Sequence, residues 1–205
     1  MRTEEENKKI IDEYPFLRYM WWDRNSRTYK WDYKATILDI ELPEGWADLI
    51  FCMAEDIKPL LEESGQLYDF FAEQAKEKFG ELRFYHNGKC PAEVDKIIDD
   101  YSALSRNVCL VCGKPDVPQI YDGWIEPWCR DCYRNKELWD ETYKDPEVPN
   151  KMADTRSWRI FSKDENGDKV YSRDISDKAQ KIRKRYDDIH RVKNDIEQEN
   201  LKELL

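Results

Sequence analysis

The chain is predicted to adopt an α+β fold: a small antiparallel sheet with helices, a treble-clef or zinc-ribbon-like pair of cysteine knuckles, and a C-terminal hairpin leading into a long helix. Three observations carry this expectation. Trp46, Leu49, Ile50, Met53 and Ile57 recur at three- and four-residue spacing, which puts them on one face of a helix. Leu82 and Phe84 alternate with Arg83 and Tyr85 just after Gly80, as in a hairpin strand. Four cysteines stand as C-x2-C-x16-C-x2-C over residues 109–132, inside the spacing range of a tetrathiolate metal site.

The elements follow in order. Residues 1–20 open as a charged helix with a weak apolar stripe (Ile10, Ile11, Tyr14), interrupted at Pro15. Residues 34–42 are rich in Ile, Leu and Thr and read as a strand ending at Pro43. The helix from Trp46 is expected to end at Pro59, or to restart there as a short turn carrying Leu60 and Leu61. Residues 67–86 read as a hairpin bent at Gly80. Pro91 opens a further helix with Val94, Ile97, Ile98, Tyr101 and Leu104 on one side. Residues 128–143 look helical, and 145–150 (DPEVPN) look like a linker. Residues 158–162 and 169–172 flank an Asn166-Gly167 turn signal.

Residues 175–205 contain neither Pro nor Gly. Ile175, Ala179, Ile182, Tyr186, Ile189 and Ile196 form a seam along a helix that, at about 1.5 Å per residue, is roughly 45 Å long. It either docks on the body or serves as a coiled-coil dimer arm. The expected organisation is an α+β body at 1–145 containing the metal module at 106–143, a linker at 146–157, and the hairpin and long helix at 158–205.

Composition bounds the function. Apolar residues at 40% suffice for a core, and charged residues at 38% make a very polar surface. The longest clear apolar run, 49–54, falls far short of the ~18 residues of a membrane span. The opening MRTEEENKK lacks the apolar core of a signal peptide, so a cytosolic location is expected. The net charge is -10, and residues 37–100, with 16 acids and 6 bases, carry that whole surplus. A general phosphate-backbone binder needs a basic excess, so any nucleic-acid contact here has to be local.

Cys109, Cys112, Cys129 and Cys132 are the candidate metal ligands. Two intervening residues let a tight turn aim both sulfurs at one ion, at about 2.3 Å each. Gly113 supplies a flexible corner after the first pair, and the second pair stands at a helix N-terminus, where the dipole favours thiolates. Nothing points to secretion, so disulfides are disfavoured. A redox pair lacks its βαβ context, and the paired spacing favours zinc over an iron–sulfur cluster. The expectation is one structural Zn2+, because four thiolates close the shell that a catalytic ion keeps open.

Little else suggests chemistry. Cys52, inside an apolar helix, reads as a small buried hydrophobe, and Cys90, beside Pro91, as a surface thiol. His86 reads as structural and His190 as solvated, while Glu55 and Asp56 read as a solvated face rather than a metal pair. No phosphate loop, dinucleotide fingerprint or nucleophile elbow is present, so the chain is not expected to be an enzyme.

Residues 14–34 interleave aromatic and basic side chains. Arg18, Trp21, Trp22, Arg24, Arg27 and Trp31 are its candidate partner- or ligand-binding residues, suited to a protein hot spot or to stacking bases beside phosphate. The competing reading is that most of these rings simply pack the core.

Glu44-Gly45-Trp46, EKFGELRFY at 77–85, Cys-x2-Cys-Gly-Lys-Pro at 109–115, and Gly123-Trp124 before Trp-Cys-Arg-Asp-Cys at 128–132 together resemble small zinc-knuckle proteins of bacteriophages and prophages. The likeness covers roughly residues 10–140, and EKFGELRFY is its most specific part. It implies a zinc-stabilised accessory protein, without a reaction, that binds a host or defence-system protein as inhibitor or adaptor. On that reading the acidic 37–100 face mimics nucleic-acid charge. The alternative is a nucleic-acid or nucleotide binding module using the 14–34 strip.

Overall fold

The computed structural model describes residues 2–121, 124–139, 159–163 and 169–203. Helix α1 (Glu4–Glu13) begins with a capping box in which Thr3 and Glu6 exchange hydrogen bonds. A 3-10 turn at Pro15–Leu17 then buries Phe16 and Leu17 and feeds hairpin β1 (Arg18–Asp23)–β2 (Thr28–Thr36). The strand expected at 34–42 therefore lies earlier. Thr36 N–H and its hydroxyl both donate to the Asp39 carboxylate, at 3.1 and 2.9 Å. This local bonding competes with a sheet ladder and turns Ile37–Asp39 into a 3-10 turn whose Ile37 and Leu38 enter the core.

Helix α2 (Ala47–Glu63) runs straight through Pro59 instead of stopping there. Pro59 is exposed, so its ring lies on the solvent side of the helix, away from the packed apolar face. The apolar face read from the sequence is the core: Trp46, Leu49, Ile50, Met53 and Ile57 are fully buried. Hairpin β3 (Ala72–Lys78)–β4 (Glu81–His86) turns on Phe79 and Gly80, both at positive φ (57° and 73°). That is the turn whose twist suits a two-residue hairpin. Helix α3 (Ala92–Ser105) starts one residue after Pro91 and buries Val94, Ile98, Tyr101 and Leu104 against α2.

Hairpin β5 (Gln119–Tyr121)–β6 (Ile125–Pro127) precedes α4 (Arg130–Trp139). Hairpin β7 (Arg159–Lys163)–β8 (Lys169–Asp174) leads into α5 (Ser176–Glu203). The expected linker and the Asn166-Gly167 turn lie outside the described residues. The described strands thus form four separate two-stranded hairpins rather than one sheet; α3 packs on β4 and on α2, and β1 lies against β3.

The start of α5 is part of the body. Ile175, Ala179 and Ile182 belong to the main core cluster with Leu49 and Tyr101. Lys181 reaches Asp56 (2.5 Å), Glu55 (2.9 Å) and the Cys52 carbonyl (3.1 Å), and Arg185 reaches Asp48 (2.9 Å) and Glu55 (3.0 Å). Farther along, Val192 and Ile196 are exposed.

Candidate metal centre and binding surfaces

The first knuckle is a turn in which Gly113 N–H donates to the Cys109 carbonyl (2.9 Å) and Cys109 N–H to the Lys114 carbonyl (2.9 Å). Gly113 holds φ of 76°, as its corner position demands. The β5–β6 hairpin then returns the chain, with Leu110 N–H bonded to the Pro127 carbonyl (3.1 Å). Cys129 immediately precedes α4 and Cys132 lies in its first turn, where Cys132 N–H points at the Cys129 sulfur (3.4 Å). Knuckle, hairpin and helix start are the parts of a treble clef.

Ligand atoms of Cys109, Cys112, Cys129 and Cys132 all lie within 4.8 Å of one another. Cys112 and Cys129 sulfurs are 3.6 Å apart, close to the ~3.8 Å edge of a tetrahedron with bonds of about 2.3 Å. Hydrogen bonding from the Cys112 thiol, helped by backbone amides, holds Cys109 down at about 5, whereas burial pushes Cys132 up to about 12. Four sulfurs this close cannot all ionise unless a cation sits among them. The donor set and its spacing therefore fit one metal ion.

Two glycines fasten this module to the body. Gly45 N–H donates to the Leu110 carbonyl (3.0 Å), and Trp46 Nε1 donates to the Val108 carbonyl (2.8 Å). On the other side Gln119 Nε2 donates to the Gly80 carbonyl (3.3 Å), and Phe79 stacks on Trp124 with centroids 5.2 Å apart. Helix α5 adds a third attachment, Arg183 gripping Asp116 with two bonds of 2.6 and 2.7 Å. The motifs EGW and EKFGELRFY are thus the seats of the metal module.

The aromatic-basic strip is not one surface. Cross-strand register pairs Trp22 with Tyr29 and Trp21 with Lys30, so adjacent Trp21 and Trp22 face opposite sides of the hairpin. Trp31 packs on Phe71 (5.5 Å), and the Arg18 guanidinium lies 3.2 Å from the centre of the Trp31 ring. Arg24 and Arg27 sit in the exposed β1–β2 turn, Arg27 with φ of 52°. The acidic segment is also partly neutralised, since Asp48, Glu55 and Asp56 are paired with α5 cations and Asp56 accepts from the Tyr101 hydroxyl (2.6 Å). Glu55 and Asp56 are ion-paired rather than simply solvated.

Cys52 is fully buried, and burial pushes its thiol up to about 12, consistent with a small hydrophobe. His190 packs on Tyr186, 4.0 Å between ring centres. One group escaped the sequence reading: His86, Cys90 and Asp95 converge where β4 ends and α3 begins. Gly88 N–H donates to His86 Nδ1 (3.2 Å), leaving Nε2 to donate to Asp95 (3.1 Å), and the Cys90 thiol donates to the same carboxylate (3.7 Å). Burial first, then Asp95, push that thiol up to about 11, so it stays protonated and is a poor nucleophile. These donors satisfy one another, which accounts for the cluster as a knot between two elements. The only sequence signal for it was Pro91, which brings Asp95 back over Cys90 by starting a helix.

No known protein family matches the chain, and no curated protein or solved structure matches it either. Among the described residues, no helix is long and apolar enough to cross a membrane.

Proposed function

We propose that this protein is a non-enzymatic, zinc-stabilised accessory protein of bacteriophage type that acts by binding a basic host or defence-system protein. Zinc is the ion because four clustered thiolates in paired C-x2-C spacing suit it, and a closed sulfur shell makes its role structural. The observation that carries the binding role is the placement of charge. The surplus of -10 lies within residues 37–100, and after α5 has neutralised part of it, Glu41 and Glu73 still line an open aromatic cleft. An acidic face meeting a basic one steers encounter and selects the partner. Nucleic-acid binding through the 14–34 strip draws no comparable support, because Arg18 is engaged by Trp31 and the tryptophans diverge.

Tagged full-length protein, loaded with zinc, should recover a specific basic protein from bacterial lysate and release it as salt is raised. Recovery of no such protein across several hosts would sink this reading. Elemental analysis should find one zinc per chain.

A further inference from the structure

Between hairpins β1–β2 and β3–β4 lies a cleft of about 410 Å3, lined in part by Met20, Trp22, Tyr29, Glu41, Glu73 and Tyr85. Its rings are unusually open: Trp22 is 51% exposed, Tyr29 43% and Tyr85 44%. Trp22 and Tyr29 meet edge to face at 5.0 Å, forming one rigid wall, and Tyr29 leans on Phe71 at 5.5 Å. Aromatic surface left exposed as a contiguous patch marks a place where something binds.

Two carboxylates say what binds there. The Tyr29 hydroxyl donates to Glu73 (3.3 Å) and the Gln74 amide donates to Glu41, and among the described residues neither carboxylate has a cation partner. Glu41 also holds φ of 60°, a conformation that costs an L residue energy and clusters at functional positions. An anion is repelled by this lining. A neutral apolar group would strip water from the carboxylates without replacing it. A cation gains twice, from the negative faces of the rings and from the carboxylates.

We infer that the cleft receives an arginine side chain of the partner protein. A guanidinium is flat and weakly hydrated, so it stacks on a ring while its N–H groups reach carboxylates in the plane. A lysine ammonium has to give up a tighter hydration shell for the same place. The β1–β2 hairpin already displays this stacking in Arg18 over Trp31, and Lys76 Nζ stands 5.7 Å from the Tyr85 ring centre. The source of the arginine rests on the partner-binding reading above, but the chemistry of the cleft is testable without a partner.

The test is a titration of the zinc-loaded, 15N-labelled full chain with N-acetyl-arginine amide, followed at the Trp22 indole N–H. The comparison ligands are N-acetyl-lysine amide, the neutral isostere N-acetyl-citrulline amide, and tetramethylammonium. Saturable shifts at Trp22 with arginine are expected, with citrulline at least about tenfold weaker and the Glu41→Gln/Glu73→Gln variant weakened about tenfold. Trp22→Leu, followed instead at the Gln74 side-chain amide that lines the same cleft, should lose binding to a similar degree, and unchanged zinc content and far-UV dichroism show that each variant is folded. The inference is overturned if arginine leaves Trp22 unshifted, if lysine, citrulline or tetramethylammonium binds as well, or if the carboxylate variant binds like the parent. Arginine binding without any basic partner from lysate would retain the cleft and remove the partner reading. A basic partner captured equally by the carboxylate variant, with no arginine binding, would do the reverse.

Discussion

A Cβ placed on Gly45 would lie 2.6 Å from the Gly113 nitrogen and 2.8 Å from the Leu110 carbonyl carbon. Those are backbone atoms of the knuckle and cannot swing aside as a side chain would. Gly80 adds φ of 73° to a Cβ contact of 2.9 Å with the Ile125 carbonyl oxygen. Gly45→Ala and Gly80→Ala are each expected to cost about 1–3 kcal/mol in urea unfolding of the metal-loaded protein. Gly65→Ala, where φ is 70° but nothing lies within 4 Å, should cost about 1 kcal/mol or less, so a uniform response would contradict the close-approach explanation. Cysteine reactivity separates in the same way. At pH 8, with thiols pushed up to about 12 and about 11, Cys52 and Cys90 should both alkylate more slowly than a free thiol, half-exposed Cys90 by about tenfold and buried Cys52 by more. A chelator should open Cys109, Cys112, Cys129 and Cys132 to label first, as read by peptide mass spectrometry.

The long helix is held by its apolar start more than by its ion pairs. Ile182 is buried in the main core, and Ile182→Ala should cost about 2–5 kcal/mol. Arg185 makes two ion pairs, but all three side chains are about a third exposed (31%, 36% and 37%), so Arg185→Met should cost no more than about 1 kcal/mol. Thermal unfolding of the two variants checks the order, and the reverse order would make the helix an electrostatic strap. Beyond residue 191, Val192 and Ile196 are exposed, and the seam breaks at Lys193, short of the three or four uninterrupted heptads of a coiled coil. Light scattering should therefore report a monomer for the full chain and for one ending at residue 191, and a dimer for the full chain alone would refute this. Tyr29, Trp31 and Tyr33 alternate with Lys30, Asp32 and Lys34, the period of two that marks the 28–36 strand, whereas the apolar period of α2 was legible only as far as Ile57 and gave no sign that the helix continues past Pro59.

Metal removal should unfold the module at 106–139 and loosen what it touches, since Gly45, Gly80 and Arg183 lose their seats together. The pH dependence has two limbs. Cys52 and Tyr101 have raised values, both from burial first, so the stability they contribute is complete below their ordinary ionisation and lost as pH climbs above about 9. On the acid side, protons compete for the four thiolates, so the metal should leave below about pH 5. Thermal midpoints are expected to be level between about pH 6 and 8 and to fall on both sides; a midpoint rising above pH 9 would contradict the alkaline limb.

The helix faces, the β3–β4 turn and the four cysteines that could hold a metal ion were all readable in the order of residues, because each depends on spacings within a few turns of chain. The tertiary structure decided the rest: that Gly45 and Gly80 are joints, that α5 neutralises Asp48, Glu55 and Asp56, that Trp21 and Trp22 part company, and that Glu41 and Glu73 meet exposed rings. Those facts join positions far apart along the chain, and local periodicity carries no information about which distant surfaces come into contact.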